Sequence, residues 1–265
     1  MTSDGAGVKI RRLIGGHLIP DQDPFLLFDE FLSDDPDDYI GGFPNHPHRG
    51  FETVTYMLAG KMRHEDNHGN SGLLEAGSVQ WMTAGKGVTH SEMPEQENGL
   101  MWGFQLWINL PAKSKMIPAR YQDIPPHNIP EVRHPNGTIV RVIAGTFENV
   151  NGPVHGIDAE PLYLDARLCS NTCLEIPIPQ THSAFAYCYK GEVIISEKSI
   201  KKGELVSLGE GDLISVKANS VASEASLIIV AGKPFNEPIV RYGPFVMNSR
   251  EEIQQAIHDA QNGLI

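Results

Sequence analysis

The chain has 265 residues, with 33 acidic against 21 basic side chains and a formal net charge of -12. That length suits one large or two medium domains, and the acidic balance excludes a broad phosphate-binding surface, so no direct nucleic-acid binding is expected. No apolar run reaches about 18 residues and the first twenty residues lack the apolar core of a secretory signal, so the chain is expected to have no membrane segment and to be cytoplasmic, or nuclear in a eukaryote.

The 26 glycines and 19 prolines punctuate short segments, the pattern of an all-β chain. In chain order, "DDPDD" at 34–38 reads as a solvated turn rather than a cation site. Next comes "GGFPNHPHRGFETV" at 41–54, with His46 and His48 two apart across a proline. Residues i and i+2 of an extended chain share a face, so both rings aim into one volume. Strands are predicted in "ETVTYMLAG", "GSVQWMTAG" and "GFQLWINL" of the first half. Between them, "GKGVTHSEMP" repeats the pattern with His90 and Glu92. Three imidazoles and a carboxylate make a nitrogen-rich site suited to iron, copper, nickel, manganese or zinc. With a divalent ion its net charge is +1, which leaves room for an anionic ligand. Glu52, four residues past His48, competes with Glu92 for the carboxylate role. His64 and His68 line a rim or cap a hairpin loop, and the remaining histidines (His17, His127, His134, His155, His182 and His258) read as ordinary hydrogen-bonded groups.

The second half yields strands in "GTIVRVIAGTF", "PLYLDARL", "AFAYCYKGEVIIS", "GDLISVK" and "ASLIIVAG". Cys169, Cys173 and Cys188 are odd in number and lack CxxC spacing, so they read as small buried apolar residues in a reducing compartment. One helix closes the sequence: Ser249 and Glu252 have capping-box spacing, Ile253, Ala256, Ile257 and Ala260 share a face, and Gly263 follows. The halves also resemble each other. "HPHRGFETVTYMLAGKM" from His46 lies without a gap over "PIPQTHSAFAYCYKGEV" from Pro177, matching Gly60 to Gly191, and the continuation sets Gly77 against Gly211. A duplicated β module follows, with Pro177 and Pro179 in the places of His46 and His48.

The motifs "GFPNHPHRGFETVTYMLAG", "HEDNHGNSG", "VQWMTAGKGVTHSEMP", "QLWINLP" and "GPFVMNSREEI" together resemble the pirin family of the cupin superfamily, over nearly the whole chain. The resemblance implies an all-β bicupin of two jelly-roll barrels with a C-terminal helix packed on them. The expected division is a metal-binding barrel at 1–135 and a second barrel with the terminal helix at 136–265, which the prolines in the places of His46 and His48 mark as metal-free. The resemblance also implies one divalent iron ion per chain on His46, His48, His90 and Glu92. Its implied activity is a quercetin 2,3-dioxygenase acting on a small aromatic substrate and dioxygen with release of carbon monoxide. The residues themselves offer Glu92 as base for the flavonol hydroxyl, and Trp81, Met82, Phe104 and Trp107, on strands near the site, read either as apolar walls or as plain barrel core. The second role implied by the resemblance is a redox-responsive regulatory module with a protein partner.

Overall fold

The computed structural model describes residues 1–219 and 224–265. They form two compact units: Met1–Pro126 with Phe235–Ile265, and His127–Pro234. Short strands dominate both, as the Gly and Pro punctuation implies.

In the first unit a seven-stranded sheet runs Thr2–Asp4, Val8–Ile14, Phe25–Ser33, Met101–Asn109, Phe51–Ala59, Val79–Thr83, Arg120–Ile124 in spatial order. A four-stranded sheet runs Phe43–His48, Val88–Pro94, Met62–Asp66, Ser71–Leu74. The acidic run at 34–38 is a turn: Asp35 accepts from the Asp37 amide, and Asp38 pairs with Lys9 and Ser33. The second unit repeats this plan. Its larger sheet places Leu162–Cys169, Glu224–Gly232, Ser183–Lys190 and Glu204–Leu208 side by side, and its smaller one places Cys173–Pro177, Leu213–Ala218, Glu192–Ile195 and Lys198–Lys201. An apolar core lies between them, built largely of Val, Leu, Ile and Ala.

The duplication is therefore real, but its alignment holds only in part. Gly60 and Gly191 do match: each, at positive φ of +87° and +72°, carries the chain from the larger sheet of its unit to the smaller. Gly77 does not match Gly211. Its amide donates to Met57 O at 2.7 Å, and in the second unit it is Gly203 that donates to Cys188 O at 2.7 Å, each just ahead of the strand that enters the larger sheet. Pro177 and Pro179 are also misplaced, since both are exposed while Ile176 and Ile178 enter the core. A one-residue slip exchanges the faces of a strand.

The helix Arg250–Gln261 has the predicted capping box, Ser249 accepting from the Glu252 amide. Its apolar face, Ile253 and Ala256, packs with Phe245 and Met247. These residues belong to the first unit, where the sequence placed the helix with the second barrel. The reason is specific pairing: Val246 N–H donates to Arg49 O at 3.0 Å, and Arg49 donates to Asp259 at 2.7 Å.

Candidate metal centre

Strands Phe43–His48 and Val88–Pro94 pair antiparallel with His46 directly opposite His90. His48 follows on the face of His46. Ring centroids lie 4.6 Å apart for His46–His48, 4.5 Å for His46–His90 and 5.0 Å for His48–His90. One nitrogen from each ring falls within 4.8 Å of the others.

The nitrogens are prepared to be ligands. His46 Nδ1 bonds the Pro44 carbonyl at 2.8 Å, which assigns the proton to Nδ1 and leaves a lone pair on Nε2. That Nε2 lies 2.9 Å from His48 Nε2. Both nitrogens of His90 are buried without a hydrogen-bond partner. Any imidazole carries at least one N–H or lone pair that needs a partner, and leaving one unmet costs about 1–3 kcal/mol. Burial, reinforced by neighbouring His46, drives His90 down to about 3 and His48 well below its ordinary value. Both rings are thus neutral at physiological pH, the state in which imidazole binds a metal. Orphaned nitrogens, neutral rings and mutual proximity fit a transition-metal ion.

Glu92 is buried and lines the same cavity, outside the tight trio, and its Oε1 accepts from Thr55 Oγ1 at 2.9 Å. Glu52 accepts from Thr83 Oγ1 at 2.6 Å and is not among the cavity-lining residues. Gly50, at φ +89°, breaks the alternation after His48, so spacing could not carry the face of His48 across to Glu52. His64 is buried on Asp123, Nε2 to Oδ2 3.1 Å, and stacked on Tyr121, while His68 is exposed in the hairpin loop.

His46 and His48 open into a cavity of about 560 Å³, with His90 buried behind them. Of the four predicted apolar walls, Trp107 lines it, whereas Trp81, Met82 and Phe104 are fully buried core residues. Trp107 packs edge-on to His48 at 5.3 Å and carries the Arg241 guanidinium over its ring at 5.0 Å. The cavity also has a polar wall the sequence did not disclose: Arg12 grips Asp29 with bonds of 3.0 and 2.8 Å and Asp4 with one of 2.7 Å. Burial outweighs Arg12 at Asp29 and lifts its carboxyl to about 6. Such residues betray themselves only as polar letters inside apolar strands, like Asp29 in "FLLFDEFL" and Gln105 in "FQLWINL".

The ligand strands are anchored from behind. Buried Lys115 donates to Gly50 O, Asn109 Oδ1 and Val246 O at 2.8, 2.7 and 2.9 Å, and Thr89, beside His90, donates to Ile265 O at 3.1 Å.

Residues 7–108 match the model of the pirin family and residues 163–265 that of the pirin C-terminal cupin domain. Human pirin is 42% identical across 98% of this chain and 89% of its own. The chain belongs to the pirin family. A Pseudomonas aeruginosa protein named provisionally as a quercetin 2,3-dioxygenase is 49% identical, over 99% of this pirin and 94% of its own length. A solved quercetin 2,3-dioxygenase from Acinetobacter baumannii superposes with a TM-score of 0.89 at 34% identity, covering 98% of this chain and 92% of that one. This pirin is thus a bicupin, with one C-terminal helix among the described residues. No helix among those residues is long and apolar enough to cross a membrane. All three cysteines are free, but only Cys188 is buried, and Cys173 is exposed rather than the core residue expected.

Proposed function

We propose that this pirin is an iron-dependent dioxygenase that opens the heterocycle of a flavonol such as quercetin with release of carbon monoxide. The observation that carries the reading is the convergence of three imidazoles, His90 with both nitrogens unpartnered, beside a ligand-sized cavity that His46 and His48 line. His46, His48, His90 and Glu92 would hold the ion, and family likeness rather than proximity supplies the fourth. When bound, the ion supplies a Lewis-acid and redox centre with net charge +1, matched to an ionised flavonol and to dioxygen. Glu92, reaching the cavity, takes the proton of the flavonol hydroxyl. Trp107 and the stacked Arg241 give the planar substrate a flat wall.

The test is turnover of quercetin by iron-loaded protein under oxygen. Loss of flavonol absorbance with stoichiometric carbon monoxide, rising with pH as the hydroxyl ionises and absent anaerobically, supports the reading. A fully metallated protein that releases no carbon monoxide refutes it. A redox-responsive module with a protein partner is the second reading, favoured by the tie from the ligand strand through Arg49 to Asp259 on the terminal helix: that tie would carry a change at the ion to a surface. A partner protein bound equally in both oxidation states would refute it.

A further inference from the structure

One polar stripe crosses the inner face of the first unit's larger sheet. Arg12 is paired with Asp29, Asp29 with Gln105, Gln105 with Thr55, Thr55 with Gln80, and Gln80 with Asp123. Directly opposed residues on antiparallel strands point to one face. Six neighbouring strands thus each spend an inward position on a polar side chain, which is costly unless hydrogen bonds compensate it.

Thr55 sits in the middle of this stripe, itself buried. Its Oγ1 lies 2.9 Å from Glu92 Oε1 and 2.8 Å from the side-chain amide of Gln105. A hydroxyl has a single hydrogen, and an ionised carboxylate can only accept. The Thr55 proton therefore goes to Glu92. Gln105 must then turn its NH₂ toward Thr55 Oγ1, an orientation set by the network rather than by the placement of its oxygen and nitrogen. The bonds run one way, from Gln105 Nε2–H to Thr55 Oγ1 and from Thr55 O–H to Glu92 Oε1, and each polarises the next.

We infer that Thr55 is the positioning residue for Glu92 and that Gln105, in the cavity wall, fixes Thr55 in turn. The hydroxyl holds the carboxylate in one orientation before any ion arrives. This rests on the reading of Glu92 as a metal-binding carboxylate.

Cobalt(II) alone is the probe, added to the purified full chain, with affinity read by competition with a chromogenic chelator and coordination by visible absorption. Thr55→Val keeps the shape and removes the donor. It should weaken cobalt binding by about 10–100-fold, as loss of a ligand-orienting partner does, and alter the visible bands. Thr55→Ser, which keeps the hydroxyl, should restore both. Gln105→Leu should act in the same direction more weakly, and it carries the test if Thr55→Val does not fold. Unchanged affinity and spectrum in Thr55→Val, or in Gln105→Leu where that variant stands in, with Glu92→Gln impaired, overturns the positioning role alone. Unchanged binding in Glu92→Gln overturns the role of Glu92 itself and the inference with it. A Thr55→Ser variant as weak as Thr55→Val also overturns it, because the effect would then be one of packing.

Discussion

Gly72 has ordinary backbone torsions, and what demands glycine there is space. A Cβ would stand 2.1 Å from His64 Nε2 and 2.7 Å from Asp123 Oδ2. The His64–Asp123 bond runs directly over this residue, which pairs with His64 across the strands. His64 is buried and cannot swing aside. Gly72→Ala must therefore displace the ring and break the bond: overpacking costs about 1–3 kcal/mol and the lost hydrogen bond about 1 kcal/mol more. The expected destabilisation is about 2–4 kcal/mol, against an intrinsic preference for alanine over glycine in a strand of about 0.5–1 kcal/mol. Equilibrium urea unfolding of four proteins measures it: the native sequence, Gly72→Ala, His64→Ala and the double variant. In the His64→Ala background the ring clash is gone and the half-exposed Asp123 carboxylate, freed of His64, can turn aside, so Gly72→Ala should cost little or nothing. An equal cost in both backgrounds would refute the steric argument, since the coupling is what the geometry asserts.

The other expectations concern the ion and the anchors. His46→Ala should lose most bound metal in elemental analysis while its urea midpoint holds, because the barrel core does not depend on the ring; unchanged metal content would remove His46 from the site. Glu52→Gln should leave metal content at the native level, since its carboxylate is bonded to Thr83, and a loss as large as that of Glu92→Gln would reinstate Glu52 as a ligand. Arg49, through its hydrogen bond, holds the Asp259 carboxyl below its ordinary value of 3.8. A depressed folded pKa gives stabilisation that is complete above the ordinary value and drains as pH falls through the folded one. The stability gap between native protein and Asp259→Asn should therefore be flat near neutrality and close on acidification; a gap that persists at the lowest pH contradicts the pairing.

What could be read from the sequence was whatever depends on local periodicity. His46 with His48, and His90 with Glu92, announce shared faces because strand alternation is local, and the terminal helix announces itself through Ser249, Glu252 and its spaced apolar residues. Convergence across strands is a different matter. Thr55, Gln105 and Asp29 meet only through a register fixed by pairing, and nothing in "FETVTYMLA" marks Thr55 as the residue that faces Glu92. Glu52 stayed ambiguous because a single left-handed glycine resets which residues share a side. The return of residues 235–265 to the first unit was hidden for the same reason: Val246, Asp259 and Ile265 find partners at Arg49 and Thr89, far away in sequence and invisible to composition.

The two units share a plan, yet among the described residues only one converges histidines, and the difference lies in where each strand ends. In the first, two residues, Arg49 and Gly50, link His48 to Phe51, the turn being pinned by Lys115 and by backbone bonds to Pro244 and Val246. In the second, residues 178–182 separate Pro177 from Ser183, and the strand enters with Ile176 and Ile178 inward. Opposite Leu174 and Ile176 stand Val216 and Ile214, also core residues. Face selection, not the mere presence of a donor, therefore decides whether such a barrel can hold an ion. Replacing Pro177 and Pro179 together by histidine supplies the donors that are missing in the gapless alignment, but on the outer face. The double variant should take up no additional tightly bound ion in elemental analysis after dialysis. A second ion retained there would mean that the strand can slip by one residue, burying the new rings and exposing Ile176 and Ile178, which the apolar core should forbid.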